Sequence, residues 1–276
     1  MDFPPFFLMI QLSIPADKKV YFASDFHLGF PDAVLSLERE KALLRWLESI
    51  QANASHLFLM GDLFDFWFEY GKVVPAGFTR FLGKLAEFSD QGIQLHVFVG
   101  NHDLWMWDYF QNEFKALIYR EPTHLRLLFQ HNEKNLWIGH GDGLGPGDSG
   151  YKLLKKVFTN SFAQFLFKYV HPNMGMSLAH FWSETRKKKA ILNGEDPFDE
   201  KTEYIVNYIR EIKPKLDKKN LGIDTYVFGH RHLPIQFPID ATTTYFNLGD
   251  WFNHNYKHAF FLSIDENKTE FKRFEP

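Results

Sequence analysis

The sequence predicts an α/β fold built on mixed β-sheets flanked by helices. Short β-branched or aromatic runs recur along the chain, and each breaks off in glycine and polar residues. Helical patterns separate the early runs. Apolar residues make up 45% of the 276 positions, enough to build the core of one large domain spanning residues 1–276.

The elements follow in order. The opening stretch, MDFPPFFLMIQLSIPADKK, holds a short apolar run broken by prolines. It lacks the basic start of a signal peptide and is too short to span a bilayer. VYFASDFHLGF, residues 20–30, gives a strand over 20–24. In EREKALLRWLESI, Leu43, Leu44, Leu47 and Ile50 share one helical face. HLFLMGDLFDFW gives a strand over 56–60. FTRFLGKLAEF places Phe78, Phe81, Leu82 and Leu85 together on a second helix, with Gly92 as its stop. LHVFVGNHD gives a strand over 94–99. Strands over 125–129 and 136–139 are joined by HNEKN, a hairpin-like turn, so the sheet is expected to be mixed. TYVFGHRH gives a strand over 225–228, and a last one covers 243–248.

Before TYVFGHRH lies a long helical insertion, read as a lid over residues 151–215. YKLLKKVFTNSFAQFLFKYV carries Leu154, Val157, Phe158, Phe162, Phe165, Leu166 and Tyr169 at helical spacing, edged by Lys152, Lys155, Lys156 and Lys168. MSLAHFWSETRKKKAIL and EKTEYIVNYIREI are further helix candidates, and Pro214 is expected to close the last.

Composition excludes several classes. The chain carries 31 basic and 34 acidic residues, a net charge of −3, so no global attraction to nucleic acid exists and none is expected as a partner. Cysteine is absent, which removes disulfides and thiolate ligands and fits a reducing cytoplasm. Phenylalanine is abundant, at 31 residues, and its first use is the core.

The polar residues that end the strands are the chemical content. Asp25, His27, Asp62, Asn101, His140, His230 and His232 all follow apolar runs, and strand ends on one rim of a sheet converge in space. Residues two apart on an extended chain face the same way, so Asp25 and His27 can address one point if extended backbone lasts through Phe26. Oxygen donors and imidazoles without sulfur suit Mn²⁺, Fe²⁺ or Zn²⁺. Seven donors are too many for one tetrahedral site and fit two octahedral ions sharing a ligand. A carboxylate can bridge, which makes Asp62 the natural shared residue. Two such ions about 3.5–4 Å apart can clamp a phosphorus centre and lower the pKa of a coordinated water toward about 7.

The ordered series D-x-H, GD, GNHD, GHGD and GHRH resembles the calcineurin-like metallophosphoesterases along most of the chain. The resemblance implies an αββα sandwich. It implies that Asp25, His27, Asp62 and His232 hold one ion and Asp62, Asn101, His140 and His230 the other, with Mn²⁺ the expected metal and Fe²⁺ or Zn²⁺ the alternatives. It implies in-line hydrolysis of a phosphoester or phosphoanhydride. His102 is then the proton donor or phosphoryl-charge stabiliser. Asp103 is its orienting partner, or else the N-cap of a helix over LWMWDYF. Asp65 stands beside the ligands or in a solvated loop.

Within that superfamily, GDLFDFW and HGDGLGPGDSGYKLLKKVF resemble the UDP-2,3-diacylglucosamine pyrophosphohydrolases of lipid A synthesis. By that likeness Asp148 and Tyr151 lie at the substrate pocket; Asn101 and His102 are expected to contact substrate as well, and one of the basic residues Arg186, Lys187, Lys188 and Lys189 to reach a phosphate. His140 and His230 are 90 residues apart, against 39 between Asn101 and His140, which leaves room for the lid. The implied reaction splits UDP-2,3-diacylglucosamine into UMP and 2,3-diacylglucosamine 1-phosphate. A Phe-rich, Lys-edged lid would suit acyl chains and an anionic membrane face, here the cytoplasmic side of a Gram-negative inner membrane. The chain departs from this family by reading GNHD where GNRD is usual, and that keeps open an alternative: a metallophosphoesterase acting on a nucleotide, phosphoprotein or nucleic acid.

Overall fold

Two six-stranded sheets lie face to face, each covered on its outer side by helices. The computed structural model describes residues 9–70, 73–144, 155–156, 158–174 and 197–276. The second sheet has a parallel centre. Strands β2 (Lys19–Ala23), β3 (Ala54–Leu59), β4 (Gln94–Phe98) and β5 (Leu117–Tyr119) run parallel in that order. Parallel neighbours need crossovers, supplied by α1 (Ala33–Gln51), α2 (Thr79–Asp90) and α3 (Tyr109–Phe114). Strands β11 (Phe260–Ile264) and β12 (Thr269–Arg273) extend the sheet antiparallel beyond β2. The first sheet has the order β1 (Met9–Ser13), β6 (Thr123–Leu128), β7 (Glu133–Ile138), β8 (Thr225–Phe228), β10 (Thr244–Leu248), β9 (Pro234–Pro238).

Strand alternation sorts the core into layers. Val20 and Phe22 of β2 and Phe58 of β3 face Leu125, Leu127, Leu136, Ile138 and Val227 of the other sheet. Tyr21, Ala23, Leu57 and Leu59 point the opposite way and pack under the helices with Leu43, Trp46, Leu47, Ile50, Phe81, Leu85 and Phe88. Helix α5 (Tyr204–Asp217) covers the first sheet through Ile205, Val206, Ile209, Ile212 and Leu216. The result is the αββα sandwich that the motifs implied.

The structure adds to the expected elements. All seven expected strands are present, and HNEKN closes the β6–β7 antiparallel hairpin through a Phe129 N–H to Asn132 O bond of 2.9 Å. Strands β1, β5, β9, β11 and β12 were not legible: β9 is framed by two prolines, and β12 is a half-exposed edge. Leu44 and Leu82 are only half-buried, and Trp46 and Phe88 take the inner positions. Gly92, at φ +82°, follows α2 as expected. Helix α5 runs through Pro214 to Asp217, because buried Leu216 anchors its last turn beyond the proline. Since α5 is part of the sandwich, residues 204–215 of the insertion lie in the outer layer of the first sheet. Helix α4 (Ser161–Phe167) lies in the rest of it.

Candidate metal centre

The carboxyl ends of β2, β3, β4, β7 and β8 meet on one rim, and each delivers its polar residues there. Asp25, His27, Asp62 and His232 form one cluster, with potential ligand atoms all within 4.8 Å of one another. Asp62, His140 and His230 form a second. Asn101 joins the second through Oδ1, 3.4 Å from His140 Nε2. Asp62 Oδ2 is the hinge, 3.7 Å from His27 Nε2 on one side and 3.4 Å from His140 Nε2 on the other.

The convergence is not achieved by extended backbone. Strand β2 ends at Ala23, and Asp25 (φ +58°) and His27 (φ +44°) are both left-handed. Asp62, His230 and His232 share that conformation, with φ of +52°, +66° and +56°. Non-glycine residues held there cost roughly 1–3 kcal/mol each, and such strain gathers at functional sites. The condition that extended geometry last through Phe26 therefore fails, yet the side chains still meet because two left-handed turns re-aim them. Gly61 shows how close the packing is: a Cβ there would sit 2.5 Å from His140 Nδ1. At Gly100 a Cβ would sit 2.5 Å from Asp62 N.

The donors fit a cation pair. Asp25 Oδ1, Asp62 Oδ2 and His230 Nδ1 are sealed from solvent with no aligned hydrogen-bond partner. His27 Nε2 and His232 Nε2 face each other at 3.2 Å, with Asp25 Oδ1 3.1 Å from the latter. His140 Nδ1 lies 2.8 Å from Met60 O, a carbonyl that can only accept, so a proton sits on Nδ1 and Nε2 is turned to the centre. Bonds from the His230 N–H to Asp25 Oδ2 (2.9 Å) and the His102 N–H to Asp62 Oδ1 (2.8 Å) leave each carboxylate one outward oxygen.

Electrostatics agree. Burial alone would raise Asp62, but the neighbouring His140 and His102 hold it well below the usual carboxylate range. Burial likewise opposes ionisation of Asp25, and His232 and His27 reverse it. His140 is disfavoured as a cation by burial, yet the Asp62 carboxylate pushes it up to about 10. His230 is pulled down to about 4 by burial and by the charge of His140. Asp25 and Asp62 thus stay ionised, the charge state in which carboxylates can hold a divalent ion.

Around the donors the expected roles sort differently. His102 Nδ1 lies 2.8 Å from the Asp65 carbonyl and 3.6 Å from Asp65 Oδ1, so Asp65 orients this imidazole from its Nδ1 side. Asp103 does not orient His102 through its carboxylate. Its oxygens accept from the Leu63 N–H (2.9 Å) and the Gly100 N–H (2.6 Å), tying the β3 and β4 loops together. Burial and the nearby Asp62 raise its pKa to about 7. Nor does Asp103 cap a helix, since α3 starts at Tyr109. Asp148, Tyr151, Arg186 and Lys187 lie outside the described residues.

Sequence reasoning missed Arg39 and Phe252. Arg39 sits four residues before Leu43 on the buried stripe of α1, a signal that helical periodicity carried. Phe252, in the loop after β10, belongs to no motif and is brought in only by folding.

The sequence model described as calcineurin-like phosphoesterase matches residues 18–234. A UDP-2,3-diacylglucosamine hydrolase of Porphyromonas gingivalis is 36% identical over 249 residues, covering 86% of this chain and 92% of that protein. Proteins of the same description from Pseudomonas fluorescens and Haemophilus influenzae are 26% and 24% identical, each over 250 residues and covering 93% and 96% of those proteins. With its seven expected ligands gathered on one rim and a family match that takes in all of them and most of its length, the chain belongs to the calcineurin-like phosphoesterase family.

Proposed function

We propose that this protein is a dinuclear-metal hydrolase that splits the pyrophosphate bond of UDP-2,3-diacylglucosamine into UMP and 2,3-diacylglucosamine 1-phosphate. The observation that carries the reading is the pair of clusters sharing Asp62, combined with relatives of that description along 86–87% of the chain. Asp25, His27, Asp62 and His232 would hold one ion; Asp62, Asn101, His140 and His230 the other; Mn²⁺ is the expected metal. When bound, two such ions acidify water and neutralise phosphoryl charge.

The chain's own residues do the rest. With its Nδ1 held by Asp65 O, His102 would use Nε2 to hydrogen-bond a phosphoryl oxygen or to hand a proton to the leaving phosphate. In GNHD this imidazole stands where related enzymes carry arginine, so it supplies a movable proton in place of fixed charge. Asn101 would add a contact to the same phosphate. Asp103 keeps Leu63 and Gly100 in place behind the ligands. Asp148, Tyr151 and a basic residue of Arg186–Lys189 are the further substrate contacts we propose.

The insertion would seat the acyl chains. Trp105, Phe68, Tyr70 and Phe167 form an aromatic wall, with the Phe68–Phe167 and Trp105–Phe167 rings 4.8 and 4.5 Å apart. The outer side of α4 exposes Phe162, Phe165 and Leu166, followed by Tyr169 and flanked by Lys156 and Lys168. That surface suits peripheral contact with an anionic bilayer. No helix among the described residues is long and apolar enough to cross a membrane.

The test is incubation of purified protein with UDP-2,3-diacylglucosamine, with Mn²⁺ or with EDTA. Metal-dependent UMP release, absent with an unacylated UDP-sugar, is the expected result. Equal hydrolysis of the unacylated sugar, or none of the acylated one, removes the lipid assignment.

A further inference from the structure

Arg39 is the least expected residue in α1. Its side chain is buried, at 3% exposure, and among the described residues Asp250, Asp65 and Asp32 act on it through space and not as direct ion pairs. Burial pulls its pKa down to about 10, so it stays charged at neutral pH. A buried guanidinium without a carboxylate is costly unless hydrogen bonds compensate. Its bonds go to main-chain carbonyls: Nη1 donates to His27 O (2.7 Å) and Phe30 O (2.9 Å), and Nε to Trp251 O (3.2 Å).

Those carbonyls have one thing in common. His27 is itself an expected ligand, and its left-handed backbone needs an external hold. The Trp251 N–H donates to Asp25 O at 3.1 Å, so Arg39 also grips the residue that holds the other left-handed ligand of this loop. The next residue extends the brace. The Phe252 ring stands edge-on to His27 and His232, 5.0 Å from each, and the Arg39 guanidinium lies 5.9 Å from the Phe252 centroid. Asp250 fixes this loop by accepting from the Phe252 and Asn253 N–H groups. The other half of the centre is braced separately, through Met60 O on His140.

We infer that Arg39, acting through Phe252 and the His27 and Trp251 carbonyls, is a positioning residue for one ion only, the one assigned to Asp25, His27, Asp62 and His232. The inference rests on the two-ion reading above. Charge and geometry oppose each other here, which makes the sign of the effect decisive. A buried cation repels a dication, so if Arg39 acted by charge alone, its removal would tighten metal binding. If it acts by holding the ligands, its removal weakens binding. Loss of an outer partner of a ligand usually costs about 10–100-fold in metal affinity.

The experiment is Mn²⁺ titration of the full-length apoprotein, read by the electron-paramagnetic signal of free Mn²⁺, for wild type, Arg39→Met, Arg39→Lys and Phe252→Leu. Far-UV circular dichroism checks folding. Wild type is expected to bind two ions. Arg39→Met and Arg39→Lys are expected to weaken one ion by about 10–100-fold and leave the other near its wild-type affinity. Phe252→Leu, at a half-exposed ring, is expected to weaken the same ion by about tenfold and decides the matter if the Arg39 variants do not fold. In a His140→Ala background Arg39→Met should still weaken the remaining ion; in a His27→Ala background it should add nothing. Two ions held as tightly by the variants as by wild type, tighter binding, or equal weakening of both, overturns the role of Arg39 and leaves the two-ion reading standing. Absence of Mn²⁺ binding by wild type overturns both.

Discussion

Asp65 stands between His27 and His102, with Oδ1 3.6 Å from the Nδ1 of each. One buried carboxylate therefore faces a residue assigned to metal binding and a residue assigned to proton transfer. Asp65→Asn keeps the shape and removes the charge. It is expected to lower kcat by about 10–100-fold with KM little changed, because the lost orientation matters most as charge develops in the transition state. Steady-state kinetics at saturating Mn²⁺ checks this; an effect confined to KM would assign Asp65 to substrate binding instead.

Away from the metal centre, His56 Nδ1 lies 3.1 Å from His96 Nε2, and His96 Nδ1 lies 2.9 Å from the Tyr119 hydroxyl. His96 is fully buried and stacked on Phe58 at 4.1 Å. Burial pulls His96 down to about 3 and His56 down to about 4, below the ordinary value of 6.5. Both are neutral when folded and must stay so, since the unfolded chain binds these protons first. Their contribution to stability is complete above pH about 6.5 and is lost as pH falls toward 4 and 3. Urea midpoints measured from pH 7 to 4 should fall, and the slope should flatten in His96→Gln. An unchanged slope in that variant would show that other groups drive acid unfolding.

Helix α2 begins at Phe78, which is left-handed and offers no side-chain cap. Its first N–H groups are satisfied from α1 instead. Glu40 Oε1 accepts from Arg80 N at 2.8 Å and Phe81 N at 3.0 Å, and Glu40 is buried. Glu40→Ala removes this borrowed cap and leaves two donors unpaired, with an expected loss of about 1–2 kcal/mol in unfolding free energy. Chemical denaturation checks it, and a loss below about 0.3 kcal/mol would mean that water replaces the carboxylate at no cost.

The exposed apolar side of α4 carries the membrane reading. Phe162→Asp with Phe165→Asp places charge where Phe162 and Phe165 are more than half exposed, so the fold should tolerate it. Co-sedimentation with anionic phospholipid vesicles should drop by about tenfold or more, from the lost apolar burial of two rings. Unchanged sedimentation would place the contact elsewhere.

Much of this protein was written in local sequence. Short apolar runs ending in Asp25, Asp62, Asn101, His140 and His230 are legible because a buried strand and the glycine after it leave a one-dimensional trace. The helices between β2, β3 and β4 were legible too, and they let these strands lie parallel side by side. Edge strands β9 and β12 left no such trace, since half-exposed strands need not be apolar on both faces.

The sequence by itself therefore determined the α/β class, and through its motifs the family, and it named the side chains that gather on one rim. Only the tertiary structure decided how they are held. It turned Asp25 and His27 through left-handed backbone, gave His102 to Asp65 and not to Asp103, brought Phe252 beneath two imidazoles, and set the Arg39 guanidinium among carbonyls from distant loops. The physical reason is range. Strand and helix patterns arise from neighbours in the chain, whereas a buried charge or a strained ligand is held by groups up to 212 positions away, as Arg39 is by Trp251.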